Sequence, residues 1–73
     1  MTRNFTAIIE RENDAYVAHC RELDIASQGE TVAVARANLT EAVELFLETA
    51  SPAEIKNRLH NEIYITQIEV AVG

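Results

Sequence analysis

A small set of carboxylates is the part of this sequence best suited to chemistry, and the chemistry would be metal-dependent phosphodiester cleavage. A ribonuclease-type site needs several carboxylates around divalent metal ions, which hold the attacking and leaving oxygens. The candidates lie in the first predicted strand, the turn after it and the long predicted helix: Glu10, Asp14, Glu41, Glu44 and Glu48. None stands inside the apolar run of the first strand, and the helix carboxylates should point away from the sheet. We therefore expect no metal site, no cofactor and no enzymatic activity.

Cysteine and histidine offer a second kind of chemistry, a thiol nucleophile activated by an imidazole base. His19 and Cys20 are adjacent on a predicted strand, so their side chains point to opposite faces and cannot pair with each other. A tertiary contact between Cys20 and His60 stays open, although a packed cysteine and a surface histidine are the simpler interpretation. The sequence has no Cys/His cluster spaced for zinc and no Gly-rich phosphate loop.

Hydrophobic periodicity predicts the elements that position these residues. Strands are predicted over 4–11 and 15–20, joined into a hairpin by a polar turn at 12–14, with a shorter strand over 23–27. From Thr31, a plausible N-cap, the period becomes that of a helix of about five turns. Its apolar residues recur every three or four positions and line one face: Val32, Ala35, Leu39, Ala42, Val43, Phe46 and Ala50.

A second, short helix and a last strand follow. Ser51, Pro52 and Glu54 form a capping-box pattern, and the helix they start can run to about His60. Residues 62–72 are rich in β-branched side chains and predict a strand. The order β-β-β-α-(short α)-β predicts an α+β fold in which one main helix packs on one face of an antiparallel-rich sheet. One domain is expected to fill residues 1–73.

Composition indicates which partners to expect. Twelve acidic and six basic side chains give a net charge of −6, which repels a phosphate backbone and favours a basic protein over nucleic acid. Cys20 is the only cysteine, no stretch approaches the roughly 18 apolar residues of a membrane span, and no signal-like segment begins the chain. These features predict a cytoplasmic protein without membrane contact. Since a domain this small has a thin core, we expect at least a homodimer.

The residues from Tyr16 onward carry a series of ordered motifs. They read Y-V-A-H-C-R-E-L-D at 16–24, S-Q-G-E-T at 27–31 and A-R-A-N-L-T-E-A at 35–42. This series resembles the HicB-like antitoxin family, whose pattern is an aromatic-V-A-x-C-P-E-L strand end, then S-Q-G-x-T and A-x-x-N-L-x-E-A. The resemblance covers nearly the whole chain. Arg21 departs from it by replacing the usual proline, and Val34 departs by lying in a helical turn that is commonly acidic.

The resemblance implies a partial, degenerate ribonuclease-H-like β-β-β-α-β domain. Members of the family neutralise a small basic RNA-cleaving toxin, and many add a C-terminal DNA-binding segment, which these 73 residues do not contain. It therefore implies a stand-alone antitoxin-like protein that occludes a toxin stoichiometrically and does not bind an operator by itself. Two alternatives stay open: an orphan interaction or regulatory module of the same fold with no toxin partner, and a degenerate metal-dependent nuclease.

The outer face of the long helix is the candidate surface for a partner. At about 100° per residue, Glu41, Glu44 and Glu48 fall within roughly 60° of one another, nearly opposite the apolar stripe. Val34 and Leu45 project at the flanks of the same face. Either this face is merely solvated, which solubility alone explains, or it receives a basic protein.

The last predicted strand is the candidate for self-association. Glu69 is the only charged residue between Ile63 and Val72, so little discourages the edge of this strand from pairing with another copy. The residues expected at such a contact are Ile63, Ile65, Ile68 and Val70.

Overall fold

The structure, a computed structural model, describes residues 2–73. Within them a three-stranded antiparallel sheet has the order β1-β2-β3, and two helices follow it. The bounds are β1 (Ala7–Glu12), β2 (Ala15–Cys20), β3 (Ile25–Gly29), α1 (Val32–Thr49) and α2 (Pro52–Arg58). The predicted α+β class is confirmed, and α1 packs on one face of the sheet. No helix within 2–73 combines the length and apolarity needed to cross a bilayer.

The first two turns differ from the prediction. The β1–β2 hairpin closes on two residues, since Glu12 pairs directly with Ala15, and Asn13 adopts a left-handed φ of 56° that asparagine tolerates well. The predicted strand over 4–11 and turn over 12–14 are therefore wrong at their ends. β3 begins two residues later than predicted, because Asp24, with φ of 54°, still belongs to the preceding turn.

Both helices begin where the sequence predicts. The Thr31 hydroxyl accepts the Val34 N–H at 3.1 Å, and Ser51 with Glu54 forms the expected capping box. The α1 stripe buries its central members, but Val32 is wrongly placed in it, since that side chain remains exposed at the first turn. α2 ends at Arg58, short of the predicted end near His60.

Several residues of the quoted motifs have a structural role at the junction between β3 and α1. A Cβ on Gly29 would lie 2.6 Å from the backbone nitrogen of Ala35, so the absence of a side chain lets the helix approach the strand. The Asn38 amide donates to the Gln28 carbonyl at 2.7 Å, and Thr31 caps the helix between them. These motif residues hold α1 against the sheet.

The core lies between α1 and the inner face of the sheet. Its buried members are Ala18, Cys20, Leu23, Ala35, Leu39 and Val43. α1 covers β3 and β2 and only touches β1. The inner face is therefore left partly open on the side of β1.

The predicted last strand over 62–72 is wrong for the single chain. Within the described chain, no backbone hydrogen bond joins residues 61–73 to the sheet. Residues 59–73 run without a turn or bend. A strand exists only where a neighbour takes up its N–H and C=O groups, and this segment has none. The observed order is therefore β-β-β-α-α, and the ribonuclease-H-like assignment stays a prediction.

Candidate protein-binding surfaces

His19 and Cys20 lie on opposite faces of β2, as their adjacency predicts. The His19 Nε2 lies 2.8 Å from Asp24 Oδ1 on the outer face of the sheet, the one contact with the geometry of an ion pair among residues 2–73. The hydrogen bond from His19, followed by its charge, holds the pKa of Asp24 below its ordinary value. His19 therefore has a carboxylate partner rather than a thiol.

Cys20 is buried in the core, which confirms the prediction of a packed cysteine. Burial raises the pKa of its thiol, and the nearby Glu22 carboxylate adds to the effect. A raised pKa keeps the thiol protonated and unreactive at neutral pH. No hydrogen bond joins it to His60 in the described residues; the His60 N–H donates instead to the Glu22 carbonyl at 2.8 Å.

Glu22 connects the β2–β3 turn to the start of β1. Its two carboxylate oxygens accept the Thr6 N–H at 2.8 and 3.0 Å, and one also accepts the Thr6 hydroxyl at 2.8 Å. Partial burial alone would raise the pKa of Glu22, but the hydrogen bonds from Thr6 outweigh it and hold the pKa below its ordinary value. The sequence did not predict this contact, whose only signal was a carboxylate two residues after a strand end.

The same turn is held from two further directions. The Arg58 guanidinium donates to the carbonyls of Leu23 and Asp24 at 3.2 and 3.3 Å. The Arg21 N–H donates to the Thr6 carbonyl at 3.2 Å, a bond that a proline at this position could not make. Arg21 therefore adds a link between the residues that flank β1 and β2.

The carboxylates considered for catalysis lie on different sides of the molecule. Glu10 is on the outer face of the sheet, beside Val17 and away from α1, whereas Glu41, Glu44 and Glu48 are exposed on α1, which packs on the other face of the sheet. Asp14 lies in the exposed hairpin turn. Residues 2–73 hold no group of three or more His, Cys, Asp or Glu placed to bind a metal ion.

We call the outer surface of α1 the acidic face; its residues are Val34, Glu41, Glu44, Leu45 and Glu48. All five are exposed, and the two apolar members leave 44% and 60% of their surface in solvent. No ion pair or side-chain hydrogen bond neutralises the three carboxylates within the described chain. The last turn of α1 carries no basic residue. Such a surface can accept hydrogen bonds from Lys and Arg of another protein.

A groove of about 670 Å³ lies beside β1, between residues 2–7 and α1. We call it the β1 groove. Its lining includes the apolar side chains of Phe5, Leu39, Val43, Leu47, Ile55 and Leu59, together with Arg36 and Glu44 of α1. The sequence did not predict it, because the groove depends on where α1 sits across the sheet.

The residues predicted for self-association lie in the unpaired segment after α2. Ile63 is half-buried, and Ile65, Ile68 and Val70 are exposed. They form no edge of the sheet in the single chain, so their expected role needs a second molecule.

No protein family, curated protein or solved structure compared with this chain matches it. The resemblance to the HicB-like family stays a prediction that rests on the motifs quoted above.

Proposed function

We propose that this chain is a cytoplasmic, antitoxin-like binding protein of the HicB-like type. It covers a small basic RNA-cleaving toxin in a stoichiometric complex and performs no chemistry of its own. The observation that carries the proposal is the acidic face, where three exposed carboxylates form no ion pair within the described chain. The nature of the partner follows from the motif resemblance, and its positive charge follows from the chain's net charge of −6.

The charge arrangement of α1 disfavours the free helix and favours a basic partner. Like charges three or four residues apart, as in Glu41–Glu44 and Glu44–Glu48, each destabilise a helix by about 0.2–0.5 kcal/mol. Glu48 also lies in the last turn, where the helix dipole is negative. A Lys- or Arg-rich surface would relieve both effects on binding, and its attraction would mainly raise the association rate.

Val34 and Leu45 add apolar contact area at the flanks of the same face. Val34 rests on Gly29 at the junction of β3 and α1, which holds its exposed side in a defined position. Leu45 is 60% exposed and lies beside the three carboxylates. A protein interface usually combines apolar contacts with polar, solvent-accessible groups around them.

Co-expression with the product of an adjacent reading frame tests the proposal. We expect a small basic protein to be encoded there, to cleave RNA when alone, and to lose that activity at one equivalent of this chain. Absence of a stable complex with the neighbouring product would favour an orphan interaction module. Magnesium- or manganese-dependent RNA cleavage by this chain alone would favour the nuclease alternative, for which the placement of Glu10 opposite the helix carboxylates is unfavourable.

The acidic face itself is tested by removing its charges. In a triple variant Glu41→Gln, Glu44→Gln and Glu48→Gln, association with the toxin should slow by about tenfold or more at low salt, and its salt dependence should flatten. The matched control removes the same number of charges at the hairpin end: Glu10→Gln, Glu12→Gln and Asp14→Asn. Equal slowing in both variants, or in neither, would exclude the acidic face as the contact surface.

A further inference from the structure

We call the segment from Glu62 to Val72 the C-terminal arm. It extends away from the sheet and the helices, and its side chains beyond Ile63 are exposed to solvent. Its large apolar side chains from Tyr64 to Val72 expose between 60% and 90% of their surface. The radius of gyration is 14.4 Å, whereas a compact chain of this length has about 11 Å. An apolar arm held away from the core indicates a binding element whose partner lies outside the chain.

The arm has the pattern of a half-buried strand. In an extended chain alternate residues share a face, so Tyr64, Thr66, Ile68, Val70 and Val72 lie on one side. Ile63, Ile65, Gln67, Glu69 and Ala71 lie on the other side. From Tyr64 to Val72 the first face is therefore apolar, aromatic or β-branched, and the amide of Gln67 and the carboxylate of Glu69 face the opposite way.

The sheet offers a place for such a strand next to β1. β1 pairs with β2 on one side only, so its other edge has free N–H and C=O groups. The β1 groove opens at the start of this edge, where Ala7 and the residues before it run past α1, because α1 covers β3 and β2 rather than β1. A strand added at the edge of β1 would satisfy the backbone groups there and would lay its apolar face over the groove.

The arm does not occupy this place in its own chain. Its base is fixed near the start of β1, where the His60 N–H donates to the Glu22 carbonyl at 2.8 Å and the Asn61 side chain accepts from Arg3 at 3.1 Å. From there the arm runs on without a turn or bend, and no residue after Leu59 lines the β1 groove. Within residues 2–73 the edge of β1 is therefore left open to a strand from a second copy.

We propose that two copies of this chain exchange their C-terminal arms, each arm forming a fourth strand along β1 of the other copy and covering its β1 groove. Each copy then gives one arm and receives one, so the contact closes on itself around a twofold axis. The apolar arm and the apolar groove, both exposed in the single chain, are buried together. The proposal concerns assembly of this chain alone and stands whether or not a toxin binds the acidic face.

Analytical ultracentrifugation of the full chain tests the exchange. The wild type should be a dimer at micromolar concentration, and a variant with Ile68→Asp and Val70→Asp should dissociate with a dissociation constant raised about 100-fold or more. Leu47→Asp in the groove should act in the same direction. The control Gln67→Asp adds a charge to the polar face of the arm and should leave the dimer intact. Circular dichroism checks that each variant keeps α1 and the sheet.

Hydrogen exchange locates the contact independently of those variants. Amides of β1 and of the arm should be protected in the wild-type dimer and should lose protection together in the Ile68→Asp, Val70→Asp variant. A wild-type monomer at 100 micromolar or above, on the order of the weakest specific assemblies, would overturn the proposal. So would a dimer that survives both arm substitutions, or protection of β3 in place of β1.

Discussion

Glu22 offers a direct test of how the β2–β3 turn is held to the start of β1. Its carboxylate accepts the Thr6 N–H and the Thr6 hydroxyl at 2.8–3.0 Å. Glu22→Gln keeps the shape of the side chain but removes the charge that strengthens these bonds. The amide oxygen can still accept from Thr6, but the amide nitrogen is a donor and takes the place of the second acceptor oxygen. The substitution therefore removes the charge and one of the two acceptors while leaving part of the contact in place.

The size of the effect follows from the contact. A hydrogen bond to a charged group contributes about 1.5–3 kcal/mol when buried, and the carboxylate here is partly open to water, which weakens it. We expect Glu22→Gln to lower the free energy of unfolding by about 1–2 kcal/mol at pH 7. With a urea slope of about 1 kcal/mol per molar, the midpoint falls by roughly 1–2 M.

The stabilising contribution of Glu22 should depend on pH. Because the folded-state pKa of Glu22 lies below its ordinary value of 4.5, the contribution is complete above that value. It is lost as the pH falls through the lower folded-state pKa. Once Glu22 is protonated it resembles glutamine, so the difference between wild type and Glu22→Gln should shrink toward zero at low pH.

Urea unfolding at equal protein concentration, followed at pH 7 and in steps down to about pH 3, measures this difference. Glu12→Gln is the control, since that exposed carboxylate has no hydrogen-bond partner among the described residues. A difference that stays constant with pH would refute the argument. So would an equal loss of stability in Glu12→Gln.

Two other substitutions test how the core is closed. Gly29→Ala should destabilise the fold by about 2–3 kcal/mol in urea unfolding, because its methyl group would lie 2.6 Å from the backbone of Ala35. The control is the neighbouring substitution Gln28→Ala, which should cost under about 0.5 kcal/mol. Equal losses of stability in the two variants would contradict the close approach of helix and strand at Gly29. Leu23→Ala removes a side chain with no exposed surface and should cost about 2–5 kcal/mol, measured in the same way. Leu45→Ala, on the exposed side of α1, is the control for Leu23→Ala. A loss of stability below about 1 kcal/mol for Leu23→Ala would contradict this prediction and would show that the core collapses around the smaller side chain.

Local features of this protein could be predicted from the sequence because they depend on neighbours along the chain. The cap at Thr31 and the capping box at Ser51 join groups three residues apart, so residue type and spacing suffice. The same holds for the opposite faces of His19 and Cys20, which follow from strand geometry alone. Strand ends were less accurate, since Asn13 and Asp24 adopt left-handed backbone angles that propensity does not specify.

Other features were decided by contacts between residues far apart in the sequence. Glu22 binds Thr6 across sixteen positions, and the β1 groove exists because α1 lies over β3 and β2. Neither leaves a periodic or spaced signal. The candidate residues of the acidic face are exposed as their helical positions predict, yet whether they meet a partner depends on a molecule other than this one.

The C-terminal arm shows most clearly the difference between what the sequence determines and what tertiary contacts decide. Its β-branched composition and alternating pattern are properties of the sequence, and they predict a strand over 62–72. Whether that strand forms is a tertiary matter, because a strand exists only when a neighbour accepts and donates its backbone hydrogen bonds. Within one chain the arm has no such neighbour, so the sequence determines the capacity to form a strand and the packing decides where, and with which molecule, it forms.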